Sequence, residues 1–148
     1  MSTDDPAVTL VRNATVLATV DETTFLVDPL FAPQGSMPPI DNTPNDRNNP
    51  LVPMPDVDLA HDAVIVTHRH PDHFDEAAKA ELDPDVPLFC QPAEADAFAE
   101  DGFTDVRPVD DETTFEGVAL HRTPGRHGHG ELAERMGPVS GFVLDGEE

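Results

Sequence analysis

The sequence predicts an α/β domain, and two observations carry that prediction. Short runs rich in Val, Ile and Thr recur along the chain with turn residues between them. In the middle, two segments rich in Ala, Asp and Glu have helix-forming composition and alternate with those runs. Strands that alternate with helices and then return to strand pairs build layered sheets. At 148 residues the chain is one domain, long enough to bury a sizeable core.

The opening stretch reads as two strands joined by a turn. Residues 8–20 are rich in β-branched side chains, Asp21 and Glu22 supply the turn, and residues 23–27 resume strand character. From about 32 to 55 the chain changes. Pro33, Pro38, Pro39, Pro44, Pro50, Pro53 and Pro55, with Gly35 and several Asn, discourage regular structure by fixing φ and removing donors. A loop of that length inside a domain is either functional or a mobile surface segment. Ala63-Val64-Ile65-Val66 then reads as a buried strand. Residues 75–82 are expected to be helical, with acidic residues in the first turn, where the helix dipole favours them, and Asp83-Pro84 as the stop. Residues 86–91 read as a short strand, residues 93–99 as a second helix closed by Gly102, and strands follow near 104–107, at 113–122 and at 139–144.

Directly after the apolar run at 63–66 comes Thr67-His68-Arg69-His70-Pro71-Asp72-His73, which packs four potential metal ligands into six residues. A buried strand that stops at a dense His/Asp turn presents ligands at the mouth of a fold. Imidazole suits zinc, and His combined with carboxylate suits a hydrolytic centre with an open coordination position. The plainer alternative is a solvated polar turn that happens to be His-rich. No GxSxG or GxxxxGK[ST] motif competes as a source of chemistry.

His68, His70, Asp72 and His73 resemble the HxHxDH motif of the metallo-β-lactamase fold superfamily. Around them, Leu10-Val11-Arg12-Asn13-Ala14-Thr15-Val16 and Phe25-Leu26-Val27-Asp28-Pro29 look like the opening strands of the branch that includes L-ascorbate-6-phosphate lactonase. Thr123-Pro124-Gly125-Arg126-His127-Gly128, followed by Met136-Gly137-Pro138-Val139-Ser140-Gly141-Phe142, looks like the segment carrying the next ligand. The resemblance implies the N-terminal part of a metallo-β-lactamase αββα sandwich, with the Pro-rich loop on the rim of the site. It implies a first zinc site from His68, His70 and His127 and a second from Asp72 and His73, with Asp72 orienting the attacking hydroxide. Residues 68 and 70 can point together from an extended segment, and Pro71 redirects the next two ligands. Relatives that hold redox-active di-iron commonly carry Glu where this chain has His70, so the resemblance favours hydrolysis.

Other residues leave alternatives open. His129 competes with His127 for the ligand position, while His121, inside an expected strand, and His61 suit structural or surface roles. Asp28 either orients a ligand imidazole, because such rings commonly donate their other N–H to an acceptor, or is a turn residue before Pro29. Arg12-Asn13 stands where many relatives carry Gly-His, which marks a subfamily. The resemblance also assigns the family a metal-bridging Asp and a final His beyond Glu148, so residues 1–148 read as a single, incomplete domain. Three expectations follow: a fragment completed by a complementing C-terminal chain, a non-catalytic zinc-binding module, or a homo-oligomer that covers its own exposed sheet. The leading expectation is a zinc-dependent hydrolase of a small-molecule ester, lactone or phosphorylated metabolite, holding one or two zinc ions, with another divalent metal as the alternative to zinc. The alternative is a truncated, non-catalytic zinc-binding fragment acting through self-association or a partner chain.

The formal net charge is −22, with Lys79 the only lysine. Such a surface repels itself unless salt screens it, which points to a salt-rich, halophilic cytoplasm. It also argues against nucleic acid as a partner, because phosphate binding needs clustered Lys and Arg. Cys90, the single cysteine, excludes an intramolecular disulfide and reads as a small core hydrophobe. With no apolar leader and no stretch able to cross a bilayer, the expected location is cytoplasmic, without membrane partners.

Overall fold

In the computed structural model, residues 7–37, 47–48, 50–70, 73–126 and 138–146 are described. Three strands, β1 (Ala7–Arg12), β2 (Thr15–Val20) and β3 (Thr23–Val27), form an antiparallel meander. Onto its β3 edge are added, all parallel, β4 (Ala63–Val66), β5 (Leu88–Cys90) and β6 (Val106–Pro108), giving a six-stranded sheet in sequential order. A second, antiparallel sheet holds β7 (Glu112–Phe115), β8 (Val118–Arg126) and β9 (Pro138–Asp145). Helix α1 (Glu76–Glu81) follows β4, and α2 (Ala95–Glu100), entered through one 3-10 turn at Pro92–Glu94, follows β5.

The period of two along the parallel strands sorts their side chains into two cores. Leu26, Val64, Val66, Leu88 and Cys90 face the helices and pack with Phe74, Ala78, Leu82, Phe98 and Phe103. Phe25, Ala63, Ile65 and Phe89 face the other way, onto Val118 and Leu120 of the second sheet. Both faces of β4 are therefore covered, which is why its sequence is continuously apolar rather than alternating. Each fully buried Phe contributes on the order of 1.5–3 kcal/mol of transfer free energy. The layers run helix, sheet, sheet, as expected for an α/β domain and for the first part of an αββα sandwich.

Helix α1 is far too short to stand alone. Asp75 caps it, with Oδ1 accepting the Ala78 N–H at 2.8 Å, and Oδ2 accepts the Ala32 N–H at 2.7 Å, so one carboxylate ties the helix start to the loop after β3. Arg12 closes that loop from below. Its buried guanidinium donates to the Leu30 carbonyl at 3.0 and 2.6 Å and to the Ala32 carbonyl at 2.6 Å. Burial pushes the Arg12 pKa down, opposed by nearby Asp75. The Pro-rich segment lacks regular structure where it is described, and its two ends are stitched together: Gly35 N–H bonds the Pro50 carbonyl at 3.0 Å and Gln34 Nε2 the Leu51 carbonyl at 2.9 Å.

Two expected strands are in fact hairpins. Residues 8–20 turn at Asn13 and Ala14, with Asn13 at φ 47°, a conformation its short polar side chain tolerates. Residues 113–122 turn at Glu116 and Gly117, with φ 52° and 82°, matching the primed turns that suit twisted strands. The expected Asp21-Glu22 turn has the same character, at φ 48° and 70°. Among the described residues, no helix is long and apolar enough to cross a membrane.

Candidate metal centre

The HxHxDH turn leaves the C-terminal end of β4, where open α/β sheets gather ligands. The neighbouring strand β3 is followed at once by Asp28, which sits in the left-handed region at φ 48°. That conformation costs about 1–2 kcal/mol in a non-glycine residue, and it is held by five hydrogen bonds, one of them from the Thr15 hydroxyl to the Asp28 carbonyl at 2.7 Å. The Asp28 N–H donates to the Ile65 carbonyl at 2.8 Å, and Oδ1 accepts the Thr67 N–H at 2.7 Å. Oδ2 accepts the Thr67 hydroxyl at 2.7 Å and faces His73 Nδ1 at 2.8 Å. The carboxylate is nearly fully buried and spans the two strand ends.

Three imidazoles converge above it. The His68 ring is buried, its centroid 4.6 Å from that of His70 and 4.0 Å from that of His73. The turn that gathers them is tight: the N–H groups of His73 and Phe74 both reach the His70 carbonyl, at 2.8 and 3.0 Å. Arg69, which sits between two of the imidazoles in sequence, is drawn away from them. Its guanidinium pairs with Asp101 at 2.7 Å and lies over the Phe98 ring at 4.5 Å, while its backbone N–H donates to Glu94 Oε2 at 3.1 Å. The second sheet reaches the same place through Ser140, whose N–H donates to the Thr67 carbonyl at 3.1 Å and whose hydroxyl donates to Gln91 Oε1 at 2.8 Å. Ser140 is opposite Pro124 in register, so β8 is the strand next to the one that meets Thr67.

Of the expected site residues, His68, His70, His73 and Asp28 come together, whereas Asp72 and His127, like the competitor His129, lie outside the described residues. His61, at the opposite end of β4, bonds the Leu59 carbonyl through Nδ1 at 2.8 Å, and His121 lies 3.9 Å from Glu112 on the second sheet. Cys90 is a core residue, as expected. Burial, reinforced by Glu94 and opposed by Arg69, pushes its thiol up to about 12, which makes it inert as a nucleophile. Two contributors were not singled out from sequence. Thr67 links Asp28 to His68, and Glu94 supports the motif backbone while its buried Oε1 has no hydrogen-bond partner among the described residues. Neither carries a sequence signal, because Thr67 meets Asp28 and Glu94 meets Arg69 only once the chain has folded.

Among the described residues, no group of three His, Cys, Asp or Glu side chains is by itself arranged to hold a metal ion. The donor chemistry nonetheless suits one: clustered imidazoles, a buried carboxylate behind them and the nearest guanidinium turned away. Asp72 and His127 are the residues expected to complete such a set.

A family described as Beta-lactamase superfamily domain matches residues 23–148, and the chain belongs to it. It is 40% identical over 144 residues to the UPF0173 protein YddR of Bacillus subtilis (strain 168), covering 93% of this chain and 57% of that one. Its fold is similar to that of a possible metal-dependent hydrolase from Veillonella parvula DSM 2008, with 33% identity and a TM-score of 0.86, covering 95% of this chain and 58% of that one. It is also similar to isothiocyanate hydrolase from Delia radicum gut bacteria, with 31% identity, a TM-score of 0.84 and the same coverage. The chain thus spans somewhat more than half the length of these relatives.

Proposed function

We propose that this protein is a metal-dependent hydrolase of the β-lactamase superfamily, using zinc and acting on a small molecule with an electrophilic carbonyl or phosphoryl centre. The observation that carries the reading is the convergence of the His68, His70 and His73 rings over the Asp28 carboxylate. His68, His70 and His127 would hold one ion and Asp72 and His73 a second. When bound, such ions polarise the electrophile and bring a water molecule to its nucleophilic form near neutral pH. Asp72 would orient that water, and Asp28 would hold His73 through Nδ1. Esters, lactones and phosphorylated metabolites fit the chemistry, and the isothiocyanate hydrolase relative adds a substrate in which water likewise attacks an electrophilic carbon. The acidic surface supports a halophilic, cytoplasmic setting without nucleic-acid or membrane partners, with assembly into a homo-oligomer or with a complementing chain as part of the reading.

Zinc per chain by elemental analysis, with light scattering and a hydrolase screen on the same sample in concentrated salt, tests this. Two ions per chain with turnover support the hydrolase. One firmly held ion without turnover supports the non-catalytic zinc-binding reading, and no zinc at all overturns both. His70→Ala is expected to abolish metal binding, and unchanged metal content in that variant would show the ligand assignment to be wrong. The melting temperature should rise from dilute buffer to molar potassium chloride as salt screens the net charge of −22.

A further inference from the structure

We propose that Thr67 and Asp28 act as one positioning unit that decides which ring nitrogen of His68 and of His73 carries the proton. Both rings are thereby set with the proton on Nδ1 and Nε2 as the basic, metal-binding nitrogen. The proposal rests on the reading of His68 and His73 as ligands, and it extends that reading to Thr67.

A threonine hydroxyl has one hydrogen to give and lone pairs to accept with. At Thr67 that hydrogen points to Asp28 Oδ2 at 2.7 Å. The hydroxyl therefore meets His68 Nδ1, 3.1 Å away, as an acceptor only, and that nitrogen must bring the proton. The same Oδ2 lies 2.8 Å from His73 Nδ1 and, as a carboxylate oxygen, also accepts only. One carboxylate thus sets His73 directly and His68 through a single relay. Its own position leaves little slack: Oδ1 is bonded to the Thr67 N–H at 2.7 Å, and the Asp28 backbone is bonded to β4 through Ile65. In a neutral imidazole the hydrogen bond made by one nitrogen determines what the other can do. A ring with the wrong tautomer would turn an N–H towards the ion.

The test reads tautomers directly. Long-range proton–nitrogen correlation spectra of the full chain, labelled at histidine, free of metal and at a pH where the rings are neutral, report which nitrogen bears hydrogen. In the wild type, His68 and His73 should both show Nδ1–H. Thr67→Val, which keeps the shape and removes the hydroxyl, should release His68 into mixed tautomers and leave His73 unchanged, and Thr67→Ser should restore the wild-type pattern. Asp28→Asn places an amide donor near His73 and should turn that ring towards Nε2–H. Zinc affinity, measured by competition with a chromophoric chelator, should fall about 10–100-fold in Thr67→Val and recover in Thr67→Ser. Nε2–H at His68 in the wild type, or an unaltered His68 in Thr67→Val, overturns the proposal, and the wild-type measurement stands even if a variant fails to fold. Absence of zinc binding alongside the expected tautomers would overturn the metal centre and leave the positioning unit intact.

Discussion

The two halves of the six-stranded sheet are covered very differently. In the parallel half, every residue of the inner strands β4 and β5 is buried, with helices on one face and the second sheet on the other, and exposure is confined to the edge strand β6. In the antiparallel half, β1 exposes its first four residues, and Val8 and Leu10 stand 74% and 68% accessible. Val8 and Leu10 pair with Ala18 and Val16, which pair in turn with Phe25 and Val27, so they lie on the face that the second sheet covers further along. Cover from β7, β8 and β9 runs out before it reaches β1. The candidate centre grows from the half that is enclosed, where strand ends are held from both sides and side chains can be aimed.

The largest expected contrast lies in reactivity. With its thiol pushed up to about 12, Cys90 should react with an alkylating reagent near pH 8 about a thousandfold more slowly in the folded chain than in the denatured one. Mass spectrometry of the two samples gives the ratio, and equal rates would show that β5 is not enclosed. The same shift bears on stability. Above about 9 the unfolded thiol loses its proton, while the folded one keeps it to about 12, so the unfolded state binds fewer protons and stability falls across that window. Chemical denaturation at rising pH checks the sign.

Packing comes next. Phe89→Ala, in the core between the sheets, should cost about 3–5 kcal/mol in a denaturant titration. Asp75→Ala removes a helix cap and the tie to Ala32 and should cost about 1 kcal/mol. At the other extreme, Val8→Thr on the bare strand should change stability by less than about 0.5 kcal/mol. A cost at Val8 comparable to that at Phe89 would mean that β1 is covered in solution, and the contrast between the two halves would disappear.

The enclosed half was also the more legible in the sequence. Ala63–Val66 reads as a buried strand because it is apolar on both faces, and α1 is bounded as expected because Asp75 caps it and Asp83-Pro84 stops it. The hairpin turns were harder to read. Asn13-Ala14 lies inside a run rich in β-branched residues with no Gly or Pro to mark a turn, and the reversal shows only in the positive φ and the antiparallel pairing. At Glu116-Gly117 the glycine is a signal, but the β-rich residues on either side read as one strand. In the candidate site, the histidines are visible as a dense local motif, whereas the link between Asp28 and Thr67 spans 39 residues and exists only once β3 and β4 are side by side. A role of that kind depends on strand register, and no local spacing encodes it.

The hydrogen bond from the Ser140 N–H to the Thr67 carbonyl has a mechanical consequence. It fastens the last described strand of one sheet to the residue that begins the histidine turn on the other. A fluctuation that peels β9 from the sandwich must also let go of Thr67, so the two sheets and the turn open as one cooperative unit rather than as separate loops. The histidine cluster is therefore braced across the full thickness of the domain, and slow amide exchange at Ser140 would report on its integrity from the opposite sheet.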